Sequence, residues 1–126
     1  MVALSGVSLF NYFHEPYYAK DHLRDAVTFW REVAPSGALL SCATAGGVQE
    51  VINRYLSATE AQRYVHLGRK DVAAKARDFL AAHPGQPTYV LIARDWHGRL
   101  ERALVKTLTL RQVQVYPGVR LFQLSP

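Results

Sequence analysis

The chain has 126 residues, with 15 Lys and Arg against 10 Asp and Glu, and is 49% hydrophobic. That is about one domain's length with ordinary globular composition, which excludes disorder and requires neither disulfides nor metal to hold a core. A lone cysteine, Cys42, excludes an intramolecular disulfide and a cysteine-based zinc site. The formal charge of +5 is dispersed rather than gathered into a basic run or helix stripe, which argues against a nucleic-acid surface.

Met1 to Phe10 is apolar or small and contains no Lys or Arg. It lacks the basic start and cleavage site of a signal peptide, and the chain has no run of about 18 apolar residues that would span a bilayer. We read 1–15 as a leader, the tail of a longer hydrophobic segment, and 16–126 as a single α/β domain. Asn11-Tyr12-Phe13-His14-Glu15-Pro16-Tyr17-Tyr18 is dense in aromatic rings with polar tips, which suits a membrane interface and equally the rim of a core.

From about Lys20, Leu23, Ala26, Val27, Trp30 and Val33 recur at helical spacing, and Pro35-Ser36-Gly37 ends the helix. Ala38 to Ala43 is an apolar strand, with Cys42 as a small hydrophobe in it. Thr44-Ala45-Gly46-Gly47 then leads to a helix with Val48, Val51, Ile52, Tyr55 and Leu56 as its apolar stripe. A short strand follows around Tyr64 to Leu67. Asp71 is placed as N-cap of the next helix, whose inward residues are Val72, Ala73, Ala76, Phe79 and Leu80.

Pro84-Gly85 marks a loop before Thr88 to Ala93, a run without alternation that fits a central strand covered on both faces. Arg99 to Leu108 reads as a fourth helix. Arg111 to Tyr116 alternates with period two, Pro117-Gly118 supplies a type II turn, and Val119 to Leu124 returns, although tight hairpins prefer primed turns. The pattern predicts a three-layer, Rossmann-like α/β sandwich whose sheet of about five strands is mainly parallel and closes with an antiparallel C-terminal hairpin.

Two loops carry the candidate chemistry. Thr44, Gly46 and Gly47 lie where a strand opens into a helix, a position that can hold an anion on backbone amides, but the spacing matches neither the dinucleotide fingerprint nor the P-loop. In Arg94-Asp95-Trp96-His97-Gly98-Arg99, Asp95 can orient His97 or pair with Arg94 or Arg99, and Trp96 can stack on a sugar or lipid. The structural alternative makes Asp95 a helix cap, Gly98 a turn, Trp96 a lid over the core and the arginines solvated.

A hydrolase would need a nucleophile beside His97, and Ser41 is not in a nucleophile elbow. None of the histidines His14, His22, His66, His83 and His97 has the spacing zinc enzymes use. We therefore expect no catalytic residue, metal or cofactor in this chain.

Asn11-Tyr12-Phe13 with Pro16-Tyr17-Tyr18-Ala19-Lys20-Asp21, Val90-Leu91-Ile92-Ala93-Arg94-Asp95-Trp96, and Tyr116-Pro117-Gly118-Val119-Arg120-Leu121-Phe122 occur in this order. Together they resemble the soluble C-terminal domain of polytopic membrane glycosyltransferases of the GT-C type, related to the lipid-phosphate-sugar-dependent mannosyltransferases. The resemblance implies that the leader is the stub of a last transmembrane helix and that the domain lies on the outer face of the cytoplasmic membrane, periplasmic or extracellular.

It further implies a catalytic acid in an early loop that this chain lacks, so no catalytic residue carries over. The domain would be a non-catalytic accessory of a glycosyltransferase. Its partners would be the transmembrane part of the same polypeptide and an anionic lipid or polyprenyl-phosphate sugar. The alternative is a free-standing α/β enzyme or a nucleotide- or phosphate-binding protein using the same strand ends.

Overall fold

Strands covered on both faces bury every position, and Ala38–Ala43 (β1) and Thr88–Ala93 (β3) are buried from end to end, apolar except for Ser41 and Thr88. The computed structural model describes residues 16–126, with side chains from His22 onward except that of Trp96. The expected leader 1–15 and the aromatic cluster up to Tyr18 lie outside the described side chains. The remaining elements are α1 (Pro16–Val33), α2 (Val48–Tyr55), α3 (Ala58–Ala61), β2 (Tyr64–Gly68), α4 (Val72–Ala82), α5 (Arg99–Val105), β4 (Thr109–Tyr116) and β5 (Val119–Ser125).

The five strands form one mixed sheet in the order β2-β1-β3-β5-β4. β1 pairs in parallel with β2 and β3, whereas β5 is antiparallel to both β3 and β4. The expectation of a mainly parallel sheet is corrected to one parallel at one end and antiparallel at the other. The hairpin causes the difference: β5 inserts between β3 and β4, which leaves β4 as the edge.

Alternate strand residues feed two separate clusters. Leu39 and Leu91 point toward Val27 and Trp30 of α1 and Ile52 of α2; Leu40, Val90 and Ile92 point toward Ala76 of α4 and Leu100 and Leu104 of α5. Fully burying such side chains stabilises the fold by roughly 1.5–3 kcal/mol each, before the entropy of ordering them is deducted.

Several local expectations shift. The first helix begins at Pro16 rather than near Lys20, and Val33 is 44% exposed, because the chain turns there and Ala34 packs inward instead. Leu56 lies one residue beyond α2 as an extended C-cap, and α5 ends at Val105, so Leu108 is buried from the following turn. Asp71 makes no side-chain capping bond; its φ of 54° places it in the left-handed region. Short α3 buries no residue and so has no apolar stripe in the sequence, although Ser57 and Glu60 form a capping box there.

Pro117-Gly118 does join paired strands, with Tyr116 opposite Val119 and Gly118 at φ 76°, the left-handed value a type II turn requires. A bulge between Gln112 and Gln114 resets the pleat, so Leu110 packs with one cluster and Tyr116 with the other despite their even separation.

Candidate functional site

Because β1, β2 and β3 are parallel, their carboxyl ends share one edge of the sheet, and the β4–β5 turn reaches the same edge beside Ala93. Four loops therefore meet there: 44–47, 69–71, 94–98 and 117–118. The backbone at this edge is unusual. Gly47, Gly68, Asp71, Arg94, His97, Gly98 and Gly118 all have positive φ, and Gly85 is the one other described residue that does. Left-handed backbone costs a non-glycine residue about 1–2 kcal/mol, so the surrounding contacts must hold Asp71, Arg94 and His97 in place.

Those contacts are visible for Arg94. Its carbonyl accepts the Thr44 hydroxyl and its amide donates to the Gly118 carbonyl at 2.9 Å, which ties three loops together. Arg69 reaches across from the end of β2 and donates to the Thr44 carbonyl at 3.5 Å. Thr44 is thus occupied as a cross-brace. Gly46 and Gly47 are exposed, and a Cβ added at either would meet nothing within 4 Å. Neither α2 nor α4 receives a side-chain cap at its start.

Asp95 has a different role. Its Oδ1 accepts from the Leu100 amide at 2.7 Å and its Oδ2 from the Glu101 amide at 3.0 Å, so one carboxylate closes the first turn of α5. It does not orient His97, nor does it pair with Arg94 or Arg99. Its ionic partner is Arg120, at 3.7 Å, and Arg120 also meets Glu101 at 2.5 Å and lies 5.5 Å over the Phe122 ring. His97 is exposed, and its carbonyl accepts from Arg102. The Trp96 side chain, expected as a stacking group or as a lid, lies outside the described side chains. Arg99 is exposed beside this cluster.

Among the described residues, none of Arg69, Lys70, Arg94, Arg99 and Arg102 is in an ion pair. Asp95 and Glu101, the acids nearest to them on α5 and its approach, are engaged by Arg120. Asp71 is exposed, and Glu50 sits on the first turn of α2. The loops at this edge therefore carry a collar of five cations with no carboxylate partner among the described residues, Arg94 half-buried and the other four exposed, with Arg69 and Arg102 each bonding one loop carbonyl.

A nucleophile–base distance does occur elsewhere. Ser41 Oγ lies 2.7 Å from His66 Nδ1 and 2.7 Å from the Tyr64 hydroxyl. Burial pushes the Tyr64 phenol up to about 12 and holds the His66 imidazole below its usual value, Lys75 adding to that and Glu50 opposing it. With both groups neutral, both hydroxyl protons find an acceptor when Tyr64 donates to Ser41 and Ser41 donates to Nδ1. Ser41 has no solvent exposure and Tyr64 is buried, so the chain of bonds joins β1 to β2 with its hydroxyls in the core and half-buried His66 at its outer end.

Cys42 is equally buried, its thiol pushed up to about 12 by desolvation foremost and then by the charge of Asp95, which makes it inert.

Sequence reasoning missed Arg120 and the Ser41–Tyr64–His66 chain. A lone serine in an otherwise apolar strand was the available signal, since a buried hydroxyl requires a partner. No group of three or more His, Cys, Asp or Glu among the described residues could hold a metal, and no described helix is long and apolar enough to cross a membrane. Comparison of the chain with protein-family models, curated proteins and solved structures finds no match.

Proposed function

We propose that this chain is a non-catalytic accessory domain of a GT-C-type membrane glycosyltransferase, on the outer face of the membrane beside the transmembrane part of the same polypeptide. In this reading the sheet with helices on both faces is a Rossmann-like, three-layer sandwich. Its carboxyl edge binds the phosphate of a polyprenyl-phosphate sugar, or orients the acceptor beside it, while the parent protein supplies the chemistry.

The supporting observation is the collar of Arg69, Lys70, Arg94, Arg99 and Arg102 on the loops of that edge, none of them in an ion pair among the described residues, with Gly46 and Gly47 exposed on a neighbouring loop. Sugar transfer from a phosphate-linked donor leaves charge on phosphate, and arginines matched to phosphate oxygens recognise that group and give it direction.

The test is titration of the 126-residue chain with a short-chain polyprenyl-phosphate sugar across a salt series. The expected result is saturable binding that weakens with salt and drops about tenfold in the double variant Arg69→Ala, Arg94→Ala, a loss equivalent to about 1.4 kcal/mol. Absent binding, or binding indifferent to both substitutions, would sink the reading.

A soluble nucleotide or phosphate ester at the same edge is the alternative, favoured by Gly46-Gly47 ahead of α2. Displacement of the lipid-linked sugar by a nucleoside diphosphate, with tighter binding of the latter, would select it.

A further inference from the structure

We infer that the carboxyl edge of the sheet is the face this domain turns toward an anionic bilayer. The inference rests on the membrane reading above and adds an orientation to it. Its first support is the direction of α1. The link 34–37 between α1 and β1 is pinned at the opposite, amino edge: Arg63 donates to the carbonyls of Ala34 and Gly37, and the Ala38 amide donates to Pro87 just before β3.

The helix therefore runs back along the sheet, and Pro16 lies at the carboxyl end. Tyr116, on the last rung before the β4–β5 turn, reaches the Asp25 carbonyl at 3.5 Å, which sets Asp25 near the level of that edge. From there α1 continues for nine residues to Pro16, roughly 13 Å of helix at 1.5 Å per residue. The segment before Pro16 thus joins the domain on the side where the cation collar stands.

The second support is chemical. Residues 1–13 contain no charged side chain and include Phe10, Tyr12 and Phe13, a composition that favours the bilayer and its interface. The collar supplies the complementary term for acidic headgroups, and cations held at the surface act within a Debye length of about 10 Å. At the amino edge Arg31 is engaged with Glu60 and the Tyr55 carbonyl, and Arg63 with two carbonyls and the Trp30 ring, while exposed Arg54 and Lys106 are in no ion pair among the described residues and serve as the matched controls.

The experiment compares the full chain on vesicles of phosphatidylcholine with and without phosphatidylglycerol. An edge pair, Arg69→Glu with Arg99→Glu, is matched against an amino-edge pair of equal charge change, Arg54→Glu with Lys106→Glu. The preference for phosphatidylglycerol should fall at least tenfold in the edge pair, at about fivefold per cation removed, and by under threefold in the amino-edge pair. Equal losses in both pairs, or no loss in either, would overturn the inference.

Labels at Lys70→Cys and Lys106→Cys, with buried Cys42 as the silent background thiol, read orientation even where apolar anchoring dominates affinity. Lipid-borne quencher should dim the first label and spare the second; the reverse pattern, or equal quenching, would also overturn it. Binding of the short-chain polyprenyl-phosphate sugar without vesicles is scored separately, so loss of orientation with retained sugar binding leaves the proposed function standing.

Discussion

The two edges of the sheet use the same residue types to opposite ends. At the amino edge, Arg31 bonds Glu60 at 2.5 Å and caps the last turn of α2 through the Tyr55 carbonyl, while Arg63 stacks 4.8 Å over Trp30 and bonds two carbonyls of the α1–β1 link. At the carboxyl edge, Arg69, Lys70, Arg94, Arg99 and Arg102 are in no ion pair among the described residues. The amino-edge pair braces elements against one another, whereas the five carboxyl-edge cations meet no carboxylate among the described residues, Arg69 and Arg102 each bonding one loop carbonyl. Net charge alone would have treated these residues as equivalent; their partners separate them.

The sharpest way to break the comparison is Asp95, a carboxylate at the carboxyl edge that serves the fold. Its side chain is 3% exposed and closes two α5 amides. Asp95→Ala should cost about 2 kcal/mol by chemical denaturation, from loss of the cap and exposure of buried donors. A cost below about 0.5 kcal/mol, typical of exposed sites, would mean the loop holds itself. Next comes Arg63→Ala at the amino edge, expected to cost about 1–2 kcal/mol through two carbonyl bonds and the indole contact.

The matching change at the other edge, Arg69→Ala, should stay within about 0.5 kcal/mol of the parent, and equal costs for the two arginines would erase the distinction.

Acid titration refines it further. Glu60 is lowered to about 2, chiefly by the Arg31 hydrogen bond. Its contribution is present above its ordinary 4.5 and disappears as the pH falls through about 2, so Glu60→Gln should flatten the stability profile in that window. His66 is lowered by burial from 6.5, so the neutral form stabilises the fold above 6.5 and that stability declines as the pH drops below it. His66→Gln should remove this slope; an unchanged melting profile between neutral and mildly acidic pH would contradict the lowering of the His66 imidazole by burial.

What the sequence disclosed follows from range. β1 and β3 were legible because unbroken apolar runs need no partner to be recognised, and the edge assignment of Arg94 to Arg99 followed from β3 alone. The Asp95–Arg120 pair was not legible, since 25 positions separate two residues that meet only once β5 inserts beside β3. Asp71 misled for a related reason. Its residue type favours a cap, and the close of the β2 loop holds it in left-handed backbone where its side chain makes no capping bond. The reset at the β4 bulge was hidden too, because alternation from Arg111 to Tyr116 reads as an unbroken strand.

The distinction between the edges is tested most directly by residue-resolved amide shifts of the labelled chain during titration with the short-chain polyprenyl-phosphate sugar. The expected result is salt-sensitive shifts confined to 44–47, 68–71 and 94–99, with 34–37, 55–63 and 84–87 unmoved. Shifts concentrated at the amino-edge segments, or no saturable shift at any amide, would contradict the assignment of the carboxyl edge as the binding surface.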